Sequence, residues 1–303
     1  MVVSMISVVI PAYNSDGTIR SAVESAWAAG ASEVMVVDDG SSDDTAGVAR
    51  AAGATVVSQA NQGPSRARAA GLARAQGEFV VFLDADDELI PDGIAHSVEL
   101  LRDDAGASVA GGATVGVWPD GAERVIPVKY EDNTAASMVR AGFGPWPPGA
   151  AVVRRESLAR ADRTLPLPLN PRFAEDYELF VRLALVGRVL RHSIPSIRYH
   201  VFEGKSSRNP AAVLECKERI RRYYAAWIGV PDVGMSQRAL RCQAFLQRAR
   251  RAQALGRDAE AVARLAQAAI SHPVHLSGRA WQFVQLRGLR GIGRPARRGA
   301  VRL

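Results

Sequence analysis

EFVVFLDADD (78–87) decides how this chain folds. Phe79 to Leu83 form an unbroken apolar run of strand length that ends in three acids, Asp84, Asp86 and Asp87. An apolar run without polar alternation reads as a strand covered on both faces, as in a parallel sheet. Upstream, ISVVIP (6–11), EVMVVDDG (33–40) and ATVVSQ (54–59) repeat the type. Between the first two, Ile19, Ala22, Val23, Ala26 and Trp27 keep the spacing of one helix face. Ser41 and Ser42, followed by Asp43 and Asp44, predict the N-terminus of a second helix, and a third is expected near 64–76. Four such strands alternating with helices predict an α/β fold with a doubly wound sheet and helices on both faces. Ligands of such sheets bind beyond the carboxyl ends of the strands, where these acids cluster.

Further along, helices are expected near 92–103 and 133–141, and strands near 107–117 and 124–128. After the loop FGPWPPG (143–149) come a strand at 150–153, a helix over 175–186 and a closing strand near 188–199. Beyond Asn209 the chain turns rich in Ala, Arg and Gln with helical spacing. The domain expectation is therefore a catalytic region over 1–207, divided at residue 90, and a basic helical region over 208–303.

Composition separates the same two regions. Residues 1–207 carry 19 basic and 26 acidic side chains, residues 208–303 carry 19 and 5, and the whole has a net charge of +7. Hydrophobic content of 48% with 23% charged residues is that of a globular protein rather than a disordered chain. No stretch approaches the ~20 apolar residues of a membrane span. The start MVVSMISVVIPAYN has no basic n-region of a signal peptide. The two cysteines, Cys216 and Cys242, form neither a CxxC pair nor a Cys/His cluster, so the sequence supports neither a zinc site nor a disulfide framework. A cytoplasmic location, at the inner face of the cell membrane if the basic region touches lipid, is the expectation.

Three acidic groups carry chemistry. Asp38 and Asp39 end the second strand; such a carboxylate either accepts from the imide N–H of a pyrimidine or caps the next helix. Asp84 and Asp86, two residues apart at the end of the fourth strand, suit a hard divalent cation, Mg²⁺ or Mn²⁺, that takes one or two carboxylates plus substrate phosphates. The alternative is a solvated acidic turn. Glu175 and Asp176 open a helix, either as its cap or as a general base within reach of an acceptor hydroxyl.

Together, SVVIPAYN (7–14), VVDDGSSDDT (36–45), NQGPSRARAAGLARAQGEFVVFLDADD (61–87) and AEDYELFVRLALVG (174–187) resemble the family 2 glycosyltransferases with the GT-A fold. The resemblance spans roughly residues 5–207. It implies a mixed sheet, a nucleotide-binding half, an acceptor-binding half and transfer with inversion. On these positions it implies that Pro11, Ala12 and Tyr13 line the nucleoside pocket, with Asp39 on the pyrimidine. Arg68 faces the nucleotide, Asp84 the ribose and Asp86 the metal. Asp176 is then the base, Glu175 its neighbour, and Trp146 and Gly149 lie on the acceptor side. The implied partners are a nucleotide-sugar donor, UDP-linked by first expectation, and a glycan or lipid-linked acceptor.

The chain departs from that pattern at three points. Ala69 stands where the family usually has asparagine. In YHVFEGKSS (199–207) Phe202 takes the usual histidine place and His200 the arginine place, which makes His200 a substitute metal ligand or a structural histidine. No Q-x-x-R-W motif is present, which favours addition of a single sugar. For the basic region the readings are helices stacked on the catalytic domain or a peripheral membrane contact, with Trp281, Phe283, Val284 and Leu286 as apolar contacts. No nucleic-acid recognition motif is found. Two rivals stand beside a transferase: a sugar-phosphate nucleotidyltransferase and a catalytically inactive nucleotide-binding module.

Overall fold

A computed structural model describes residues 5–118, 121–126, 132–201, 209–231, 234–254 and 256–272. Strand β1 (Ile6–Ala12) leads to helix α1 (Ile19–Ala28), followed by β2 (Glu33–Asp38), α2 (Thr45–Ala51), β3 (Thr55–Ser58), α3 (Pro64–Leu72) and β4 (Phe79–Phe82). All four strands are parallel, with Val8 of β1 opposite Val34 of β2 on one side and Val81 of β4 on the other. The apolar runs of β1, β2 and β4 are buried on both faces, as the absence of alternation requires, while β3 at the edge of the sheet is only partly covered. Helix α1 buries the stripe Ile19, Ala22, Val23 and Ala26. Helix α3 packs closely on the sheet: a Cβ at Gly71 would lie 2.4 Å from Cγ1 of Val9, so only glycine fits there.

The second half is threaded differently. It runs through β5 (Glu88–Leu89), α4 (Pro91–Asp103), β6 (Ala107–Val117), β7 (Glu123–Ile126) and α5 (Ala135–Ala141). A single 3₁₀ turn (Pro148–Ala150) precedes β8 (Ala151–Arg154), then α6 (Arg155–Thr164), α7 (Glu175–Val186), β9 (Arg188–His200) and α8 (Pro210–Ile228) follow. Among the described residues the sheet has nine strands in the order β3-β2-β1-β4-β8-β6-β9-β5, with β7 paired to β6. Strand β8 is antiparallel to both β4 and β6, so the sheet is mixed, as the resemblance implied.

The residues form two compact units, 1–234 and 235–303. Composition changes at residue 208, yet α8 packs on α5 and α7 and so belongs to the first unit. In the second, α9 (Gln237–Ala254) and α10 (Asp258–Ser271) pack together through Cys242, Leu246 and Ala268. Trp281, Phe283, Val284 and Leu286 lie outside the described residues, as does Phe202.

Candidate active site

The acids lie where parallel strands end, and loop-to-loop hydrogen bonds fix them. Asn14, just past β1, adopts a left-handed backbone (φ 53°) that asparagine tolerates. Its Oδ1 accepts from Ser42 N at 2.8 Å, and its own N donates to Ser41 Oγ at 3.0 Å. Ser15 N likewise donates to Thr45 Oγ1 at 2.7 Å. Ser41 and Ser42 are thus spent on a neighbouring loop, and α2 begins at Thr45, later than the sequence predicts. Tyr13 stands half-exposed at the end of β1, above buried Ala12 and partly buried Pro11.

Asp39 is buried, and its carboxylate accepts three bonds: from Gln59 Nε2 at 2.8 Å, Gln62 N at 2.9 Å and Gly63 N at 2.7 Å. Gly40 after it takes a left-handed turn (φ +78°) that brings it against the backbone of Gln59 to Asn61. Asp39 therefore holds the 59–63 segment at the N-terminus of α3, and α3 carries Arg68.

Arg68 is the node of the site. Its guanidinium donates to Oδ1 of Asp84 at 2.6 Å and to Oε1 of Glu175 at 2.8 Å, joining groups 16 and 107 residues away. Only 11% of the side chain is exposed. Although burial disfavours the cation, the two carboxylates hold its pKa well above the usual arginine range. Glu175 is shifted up by burial, with Arg68 opposing and Asp176 adding to the rise.

Asp84, Asp86 and Asp87 crowd the end of β4. Burial and then the charge of Asp84 push Asp87 up to about 9, despite a bond from His200 N at 2.9 Å. Asp86 rises for the same two reasons, and His200 opposes the rise. Asp86, Asp87 and His200 line one cleft of about 180 Å³ with Gly17, Thr18 and Ser21. Among the described residues no three ligand side chains converge as a closed metal site. A crowded set of carboxylates with raised proton affinity fits a hard cation held by Asp86 and completed by phosphate oxygens.

Helix α7 opens on Ala174, whose left-handed backbone (φ 62°) is costly for a residue with a Cβ. No side chain caps this helix; Glu175 and Asp176 occupy its first turn, where the helix dipole favours anions. A buried network fixes the turn. Glu178 accepts from Leu169 N at 2.7 Å, Asn170 N at 3.1 Å and Tyr224 Oη at 2.9 Å. Arg182 donates to the carbonyls of Pro166 and Ala161, to Tyr224 Oη and to Asp162. Sequence reasoning missed this network and helix α6; the i, i+4 pair Glu178 and Arg182 on a helix that buries both was the available signal.

Trp146 does not present a face to a sugar. It is 5% exposed and packs edge-on against Phe180, with ring centroids 5.6 Å apart. Gly149 is a packing glycine, since a Cβ there would lie 2.6 Å from Ile197 Cδ1. Neighbouring Pro148 instead lines a cavity of about 280 Å³ together with Arg68, Glu175 and Asp176. The structure thus joins Asp39, Arg68, Asp84, Glu175 and Asp176 through bonded neighbours, and Asp86 and His200 beside them.

Residues 7–142 match the family described as Glycosyl transferase family 2. The succinoglycan biosynthesis protein ExoO of Rhizobium meliloti is 40% identical over 111 residues, which cover 35% of this chain and 32% of ExoO. The undecaprenyl-phosphate 4-deoxy-4-formamido-L-arabinose transferase of Sodalis glossinidius is 36% identical over 116 residues, or 34% of this chain and 36% of that protein. The chain thus spans about a third of the length of these relatives. Among solved structures, S. aureus TarS in complex with UDP-GlcNAc superposes with a TM-score of 0.56 at 18% identity, over 90% of this chain and 92% of that one. Glucosyl-3-phosphoglycerate synthase from Mycobacterium tuberculosis, in complex with Mn²⁺, UDP and glucosyl-3-phosphoglycerate, gives 0.50 at 24% identity, over 76% and 81%. Residues 7–142 thus match glycosyl transferase family 2, and the chain shares the GT-A fold of these solved structures.

Proposed function

We propose that this protein transfers one sugar from a nucleotide diphosphate, UDP by preference, to a hydroxyl of a glycan or lipid-linked acceptor, inverting the anomeric centre. One observation carries the reading: Arg68 ties Asp84, from the donor half, to Glu175, beside Asp176 in the acceptor half. Carboxylates distant in sequence are thereby held together on one guanidinium.

In this reading Tyr13 flanks the base, Asp39 accepts from its imide N–H while shaping the 59–63 loop, and Asp84 meets the ribose. Asp176 takes the proton of the acceptor hydroxyl as the acceptor oxygen bonds to the anomeric carbon and the bond to phosphate breaks on the opposite face. A divalent cation held by Asp86, with His200 beside it, would supply Lewis-acid stabilisation of the diphosphate leaving group. Arg68 engages Glu175 and opposes the rise that burial imposes on it, and Asp176 is the proton acceptor. Relatives and solved neighbours whose names include a sugar transferase and UDP or UDP-GlcNAc complexes support this reading. In this reading the catalytic region extends through α8, the last helix of the first compact unit, and one sugar is added per acceptor.

A screen of nucleotide sugars for Mn²⁺- or Mg²⁺-dependent donor hydrolysis tests the proposal. Turnover of one or a few donors, abolished by chelation, is expected. Failure to bind or hydrolyse any nucleotide sugar with either metal would overturn it.

A further inference from the structure

The cavity beside Asp176 is charged at its catalytic end and apolar beyond it. Leu72, Phe82, Leu158, Leu179, Leu183 and Pro168 form its walls. The other charged side chains on it are already engaged: Glu178 and Arg182 in the buried network, Asp162 with Arg182 at 3.1 Å, and Arg68 with two carboxylates. What the cavity offers a ligand away from Asp176 is therefore mainly hydrocarbon, with Ser65 and Asn170 as uncharged polar groups on its lining.

That surface continues outward. Pro168 lines the cavity, and the residue before it in TLPLPLN (164–170), Leu167, is 82% exposed. The Leu167 carbonyl accepts from Tyr223 Oη at 3.4 Å, which places α8 against this segment. One turn on from Tyr223, Trp227 is 49% exposed. Exposed leucine and tryptophan side chains in one patch mark a binding surface rather than ordinary surface. Arginines border it: Arg163 and Arg172 flank the segment, and Arg219 precedes Tyr223 and Trp227 in the same i, i+4 stripe, all three exposed.

We propose that cavity and patch form one path for the hydrocarbon chain of an anionic lipid-linked acceptor, a hydroxyl-bearing head joined through phosphate to a long chain. The proposal rests on the assignment of Asp176 as the base, and it narrows the acceptor to the lipid-linked class. The head lies at Asp176, the chain runs over Pro168 and Leu167 to Trp227, and the arginines offset the phosphate charge.

The test compares dodecyl phosphate, below its critical micelle concentration, with butyl phosphate and inorganic phosphate, by calorimetric titration into the full chain. Dodecyl phosphate is expected to bind at least tenfold more tightly than butyl phosphate. The double variant Leu167→Asp/Trp227→Ser should bring it to the butyl level with UDP–Mn²⁺ affinity unchanged; both residues are exposed, so the fold is not at stake. Equal binding of the two alkyl phosphates, or a preference that survives in the variant, would overturn the path. Binding to phosphatidylglycerol vesicles without any chain-length preference would also overturn it, assigning the patch to a bilayer surface. Loss of UDP binding in the wild type would refute the donor assignment while leaving the alkyl-phosphate result standing, so the two failures are separable.

Discussion

The two halves of the cleft are held in unlike ways. On the proposed donor side, Tyr13, Asp39 and Asp84 follow buried parallel strands, and bonds between adjacent loops fix their surroundings, Asn14 to Ser42 and Asp39 to Gln62 and Gly63. On the acceptor side, Asp176 sits on a helix with no capping side chain, after a strained Ala174, and depends on a network that reaches from residue 161 to residue 224. Local order can be encoded by short motifs; the acceptor side needs contacts far apart in the chain. The donor side should therefore respond to substitution mainly through affinity, and the acceptor side mainly through turnover.

The largest effect that tests this contrast is expected at Asp176. Asp176→Asn should lower transfer by about 10³-fold, within the range typical of a lost general base, with nucleotide affinity nearly intact by titration calorimetry. Wild-type turnover would remove Asp176 from that role. Next is Arg68, the link between the halves. Arg68→Met leaves Asp84 and Glu175 without their shared cation and should cost about 3 kcal/mol of stability, the scale for breaking a buried pair. Chemical denaturation measures it, and UDP affinity should fall as well. An unchanged denaturation midpoint would show that the halves are joined by other means.

Tyr224→Phe removes one hydroxyl from the network under α7. It should lower transfer about tenfold and stability by roughly 1–2 kcal/mol, the cost of an unmade bond to a charged group, without changing UDP affinity. A loss of UDP affinity with unaltered turnover would reverse the contrast between the halves. The smallest effect is expected outside the cleft, at His192 in β9. Its Nε2 lies 2.8 Å from Ser97 Oγ of α4 and its ring stacks edge-on against His96; burial, then His96, lowers its pKa to about 4. Because the folded pKa lies below the ordinary value of 6.5, His192 contributes stability that is full above pH 6.5 and is lost as pH falls toward 4. His192→Gln should flatten the melting-temperature profile across that window by on the order of 1 kcal/mol, with transfer at neutral pH unaltered.

The contrast also explains what was legible in the sequence. The strands near residues 6, 33, 54 and 79 are apolar runs bounded by turns, and the acids at their ends stand in the same short segments, so the strands and the acids that close them could be read together. The start of α2 was missed because Ser41 and Ser42 bond to Asn14, a partner that spacing does not reveal. The resemblance put Trp146 on the acceptor side, but tertiary packing against Phe180 buries it. Glu178 and Arg182 pair by spacing but carry no pattern that marks them as interior, and only α8 folding back with Tyr224 makes them so. Composition divided the chain at residue 208, whereas the packing of α8 moves the division to residue 234.

Titration of UDP into the protein with and without Mn²⁺, repeated for Asp39→Ala, Asp86→Ala and Asp176→Asn, bears on the central claim most directly. A single cleft predicts Mn²⁺-dependent binding that weakens at least about tenfold, roughly 1.4 kcal/mol, in the first two variants and is retained in the third. Binding that is indifferent to both Asp39 and Asp86, or to the cation, would contradict it.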